Sequence, residues 1–77
     1  MGQGGARTVD VTIRIEKGRA RDLDEVVRAL EASGLTGTER HDRFLIVNGS
    51  VDAEKLEALK RVAGVASVRE DRVYRAQ

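Results

Sequence analysis

Residues 9–30, VDVTIRIEKGRARDLDEVVRAL, change their apolar period partway along, and that change decides the fold. Val9, Val11, Ile13 and Ile15 alternate with Asp10, Thr12, Arg14 and Glu16. A period of two in β-branched residues predicts a strand with one buried face. Lys17-Gly18-Arg19 closes the strand. Leu23, Val26, Val27 and Leu30 then follow the i, i+3, i+4, i+7 spacing that lines one face of a helix. Asp22 stands at the N-cap position with Glu25 three residues on, which predicts a capping box. Gly34 falls just past the last turn, where a left-handed C-cap is wanted.

The flanking segments extend the same alternation of strand and helix. Residues 1–8 read as a flexible lead-in and residues 36–41 as a short, polar edge strand. Asp42-Arg43 turns the chain into the continuous apolar run Phe44-Leu45-Ile46-Val47, expected in a central strand that Asn48-Gly49 ends. Asp52 is expected to cap a second helix, with Val51 packing on Leu56 as a hydrophobic staple. Leu56, Leu59 and Val62 face the core, and Gly64 stops that helix. A last strand starts near Val65 and carries Val68, its register past Arg69 left open by the charged run Glu70-Asp71-Arg72. The order β-α-β-β-α-β predicts an α+β, ferredoxin-like sandwich of four antiparallel strands with two helices on one face. Right-handed crossovers place the first and third strands at its centre. Because both faces of residues 44–47 are apolar, the open sheet face is expected to carry an exposed apolar patch.

Composition narrows the function. The chain has 77 residues, 14 Lys and Arg against 13 Asp and Glu for a net charge of +1, and no proline, cysteine or tryptophan. A domain this small buries only about 60% of the surface its unfolded chain exposes, and no disulfide or thiolate metal site adds stability. The charges are interspersed rather than gathered in a basic stripe, and Phe44 and Tyr74 are the only aromatics, so a nucleic-acid partner is not expected. No apolar run is long enough to span a membrane, and no membrane partner is expected. His41 is the single histidine, which excludes a multi-histidine metal site or a histidine relay within one chain and reads as a solvent-facing turn residue. Ser33, Ser50 and Ser67 have no activating neighbours. The pairs Asp24-Glu25 and Glu70-Asp71 come with no sign of a pocket. Gly2-Gln3-Gly4-Gly5 is no phosphate loop, since no strand precedes it. The expectation is a non-enzyme without cofactor or metal, monomeric when free.

The C-terminal third carries a more specific signal. Leu56-Glu57-Ala58-Leu59-Lys60 and Gly64-Val65-Ala66-Ser67-Val68-Arg69-Glu70-Asp71-Arg72-Val73 resemble the subtilisin propeptide and proteinase-inhibitor family. In that family a helix ends in Gly-Val and a strand of the form Ser-Val-acidic-Glu-Asp-x-Val follows. The earlier elements match in order and length, so the resemblance extends over roughly residues 9–77, its specific part being the last twenty or so. It implies an inhibitor domain over residues 9–73 and an extended tail over 74–77. Such a domain docks its open sheet face on a subtilisin-like serine protease and lays its tail in the active-site cleft like the acyl half of a cleaved substrate. Tyr74 would then fill the fourth, hydrophobic subsite, Ala76 a crowded one and Gln77 the primary pocket, with no scissile bond remaining. Arg75 would point to solvent. On the residues alone, Tyr74 reads as an ordinary aromatic at a strand end. Glu70 and Asp71 would meet the N-termini of surface helices on the protease, where free N–H groups and the positive helix end favour a carboxylate. On the residues alone they are charges that blunt an edge strand. Arg69 departs from the family's frequent acidic residue, Ala63 from its frequent proline, and the first strand lacks its frequent aromatic.

Two roles share this mechanism, a cleaved propeptide acting as folding template and temporary inhibitor, and a free-standing inhibitor. A start at Met1 without a hydrophobic leader leans towards the second or towards an excised segment. The compartment is cytoplasmic if the chain is complete and secreted if it is cut from a protease precursor. The competing reading is a non-enzymatic ferredoxin-like module for protein interaction or small-ligand sensing, in which Tyr74–Gln77 is dispensable.

Overall fold

The computed structural model describes residues 7–71, and within them the order is β1 (Thr8–Ile15), α1 (Leu23–Ala32), β2 (Thr36–His41), β3 (Ile46–Asp52), α2 (Leu56–Lys60) and β4 (Val65–Asp71). The four strands form one antiparallel sheet in the order β2-β3-β1-β4, with β1 and β3 central. This is the ferredoxin-like α+β arrangement expected from the element order. Thr8 already belongs to β1, one residue earlier than the sequence pattern suggests.

The alternation in β1 does what its period requires. Val11, Ile13 and Ile15 are buried, and so are Leu23, Val26, Val27 and Leu30 along α1. Leu35, Val47, Val51 and Leu59 complete the core, with Leu56, Val62, Val65 and Val68 packed against its margin. The C-terminus of α1 is a Schellman motif: Leu35 N–H donates to Leu30 C=O and Gly34 N–H to Glu31 C=O, each at 3.0 Å. Gly34 adopts φ 117° there. Arg40 on β2 ties the edge strand down, reaching Asp24 of α1 at 2.7 Å and forking onto both carboxylate oxygens of Asp42 at 3.0 Å. The hydrogen bonds to Asp42 first, and to Asp24 second, raise the guanidinium's pKa above its usual value.

Three expectations about the helix ends are corrected. Asp22 makes no capping hydrogen bond. The chain enters α1 through a 3₁₀ turn over Lys17–Asp22, so the helix has no abrupt start to cap, and the Asp22 carboxylate lies 3.8 Å from Arg19 Nε. Asp52 likewise makes no side-chain cap. It is the last residue of β3, and a 3₁₀ turn over Ala53–Lys55 leads into α2, with Ala53 N–H bound to Arg7 C=O at 2.7 Å. That helix stops at Lys60, ahead of Gly64, which instead shapes the turn into β4 with φ 96°.

The apolar run Phe44–Val47 does not form one strand segment. Phe44 ends a 3₁₀ turn and is 69% exposed, while Leu45 takes the left-handed conformation with φ 55°. Its carbonyl accepts from Ile15 N–H at 2.9 Å, which pins the turn to the end of β1. β3 then begins at Ile46 and runs through Asn48 and Gly49 instead of ending there. Ser50 is therefore a strand residue. Gly49 is required by what lies over it: a Cβ would meet Leu35 Cδ1 and Thr36 C=O at 2.8 Å. The glycine marks a close approach of backbone to a strand rather than a turn.

Candidate functional site

Because side chains alternate along a strand, the register fixes the composition of the helix-free face. Asp10, Thr12 and Arg14 of β1 lie opposite Ser50, Asn48 and Ile46 of β3, and opposite Asp71, Arg69 and Ser67 of β4. Glu39 and His41 of β2 extend the face beyond Asn48 and Ile46. Ile46 is its one large apolar residue among these positions, and it is half-buried. The expected apolar patch is thus absent from the described part of this face. Leu45 adopts a positive φ, and Val47 and Val51 turn inward, which leaves the outward positions of β3 to Ile46, Asn48 and Ser50.

The polar groups of the face are joined across strands. Asn48 Nδ2 donates to Thr12 Oγ1 at 2.8 Å, and Thr12 Oγ1 donates to Asp71 Oδ2 at 2.8 Å. Ser50 Oγ donates to Asp10 Oδ1 at 2.8 Å. Asp10 and Asp71 are direct cross-strand partners, a placement in which like charges repel. The two hydroxyl donors offset part of that repulsion by stabilising the charged carboxylates. Arg14 and Arg69 occupy diagonal positions towards the other end of the same strands, so the face has an acidic end and a basic end.

Two hollows follow this division. One, of about 370 Å³, is lined by Thr12, Arg14, Ile46, Ser67 and Arg69. The other, of about 280 Å³, lies towards Asp10, Glu39, Asn48, Ser50 and Asp71. Among the described residues no three metal-ligating side chains are gathered, and no helix is long and apolar enough to cross a membrane. Ser67 is exposed on β4, His41 is exposed at the end of β2, and Ser33 is the residue that follows α1.

The residues singled out from the sequence separate in space. Asp71 lies on the helix-free face, held by Thr12. Glu70 is opposite Val11 in the register, so it projects to the helix side of β4, where it is exposed. A single flat surface laid over the open face therefore meets Asp71 and Arg69 but not Glu70. Tyr74, Arg75, Ala76 and Gln77 lie outside the described residues. The chain Asn48-Thr12-Asp71 was not apparent in the sequence, because its members are 36 and 59 positions apart and meet only through strand register. Comparison with family models, with curated proteins and with solved structures returns no match.

Proposed function

We propose that this chain is a non-catalytic domain that binds and inhibits a subtilisin-like serine protease, as propeptide or as free-standing inhibitor. The observation that carries the reading is positional. The segment with the family-like sequence, Ser67-Val68-Arg69-Glu70-Asp71, is the edge strand of a sheet whose one face is free of helices. A domain built this way can lay that face on a partner while the residues after Asp71 continue from the sheet edge into a cleft. An extended segment entering a cleft pairs its backbone with the cleft walls and places alternate side chains in pockets.

The test is titration of the chain against subtilisin-type proteases with a chromogenic peptide substrate. Competitive inhibition at micromolar concentration or tighter is expected. No inhibition by a chain that remains intact and melts cooperatively would overturn the proposal in favour of an interaction module.

Arg69 supplies a sharper prediction. Asp71 keeps one carboxylate oxygen without a partner among the described residues and can accept from a helix N-terminus on the protease, whereas Arg69 on the same strand face would oppose it. Arg69→Glu is expected to tighten inhibition of a generic subtilisin by about 1 kcal/mol, roughly fivefold, with Arg69→Gln in between. Inhibition constants for the three proteins check this. A weaker Arg69→Glu variant would mean that the partner surface facing β4 is acidic.

A further inference from the structure

We propose that the hollow over Arg14 and Arg69 binds a small organic anion, a phosphate or carboxylate group carried on a flat apolar body. This inference is independent of the protease reading. Arg14 and Arg69 extend from neighbouring strands on the same face, and both line the hollow. Neither forms an ion pair among the described residues. All 13 acidic side chains of the protein fall within residues 7–71, so no carboxylate side chain elsewhere neutralises them. The carboxylates on the same face, Asp71 and Asp10, accept from Thr12 and Ser50 and form no ion pair with either arginine.

Two cations lining one hollow repel, and an oxyanion between them removes the repulsion. Each guanidinium can present a pair of N–H donors to it. The exposed Ser67 hydroxyl, which has no hydrogen-bond partner among the described residues, is a further donor on the rim. Half-buried Ile46 lies opposite Arg14 and offers an apolar surface beside the charged pair. A hollow of about 370 Å³ suits a small ring carrying an anionic group, not a polymer. The dianion of a phosphate monoester matches two arginines better than a single carboxylate does.

The experiment is an amide-resonance NMR titration of the intact protein with phenyl phosphate, benzoate and inorganic phosphate in separate arms at fixed ionic strength. Saturable shifts centred on Thr12, Arg14, Ile46, Ser67 and Arg69 are expected, with phenyl phosphate tightest. Benzoate tighter than phenyl phosphate would still support the site and would identify a carboxylate as its natural group. Arg14→Gln and Arg69→Gln are each expected to weaken phenyl phosphate at least fivefold while leaving the thermal melt in place. Arg28→Gln, on the exposed side of α1, is expected to change nothing. Shifts that do not saturate, that spread equally over Arg21, Arg28 and Arg61, or that survive both substitutions would overturn the proposal. So would inorganic phosphate binding as tightly as the aryl ligands, because the Ile46 surface would then contribute nothing.

Discussion

Replacing Gly64 by alanine is expected to lower the melting temperature by about 12–24 °C. Gly64 is buried and adopts φ 96° in the turn that delivers the chain into β4. An added Cβ there would meet Val26 Cγ2 at 2.8 Å, with Arg19 Cγ and Nε at 3.4 Å. The arginine can swing aside, but Val26 is 2% exposed on the inner face of α1 and has no free direction. Relaxing the backbone instead disturbs Gly64 C=O, which accepts from Glu16 N–H at 2.9 Å and joins the turn to the end of β1. Backbone strain of about 1–3 kcal/mol and overpacking of similar size add to a loss of about 3 kcal/mol. In a domain of this size each kcal/mol shifts the melting temperature by about 4–8 °C. Since such small cores rarely supply more than about 3–5 kcal/mol in total, much of the population would be unfolded at body temperature. Gly18 is the matched control, with ordinary backbone geometry and nothing within 4 Å of an added Cβ. Gly18→Ala is expected to change stability by no more than about 1 kcal/mol. Circular dichroism melts of the two variants decide the matter. A Gly64→Ala protein that melts within a few degrees of the parent would show that the turn can shift away from α1.

The contrast between these glycines explains what the sequence can and cannot show. Periodicity is local, so the inward face of β1, the buried stripe of α1 and the Schellman end at Gly34 were all legible from short windows. The element order then sufficed for the sheet topology, because few arrangements satisfy right-handed crossovers. Asn48-Gly49 misled because the pair has the composition of a turn, whereas the reason for this glycine is Leu35 and the Thr36 carbonyl passing over it. That reason involves residues more than ten positions away and has no local signature. The same holds for the open face. Ile46 faces outward because it alternates with buried Val47 and pairs with Arg14, and a continuous apolar run gives no sign of which of its members does so. Once the register is known, the carboxylates at Asp10 and Asp71 and the cations at Arg14 and Arg69 fall into opposite ends of one surface. From the sequence they were scattered charges. Adjacent Glu70 and Asp71 illustrated the opposite error: neighbours in sequence are placed on opposite faces by the strand's own alternation.

Removal of Tyr74–Gln77 is expected to weaken inhibition of the target protease at least a hundredfold without lowering the melting temperature. The two halves of this prediction rest on different parts of the chain. The melting half rests on a core that, among the described residues, is built between Val9 and Val68. The binding half rests on the resemblance. Four residues in extended form reach about 13 Å at roughly 3.3 Å each, enough to cross four subsites. Along that length the backbone would exchange hydrogen bonds with the cleft, and Tyr74 is the one side chain of the four with a large apolar area to bury. Tyr74→Ala alone is therefore expected to weaken inhibition by about 1.5–3 kcal/mol, roughly ten- to hundredfold. The remaining loss on full truncation belongs to the backbone pairing and to Ala76 and Gln77. Inhibition constants for the parent, the point variant and the truncation separate the contributions. If the truncated protein inhibits within threefold of the parent, the tail does not occupy the cleft, and the helix-free face alone must account for binding. If only Tyr74→Ala is silent, the tail enters in a different register and another side chain anchors it. A truncated domain that still melts like the parent but no longer inhibits would assign binding to the four residues that the core does not need.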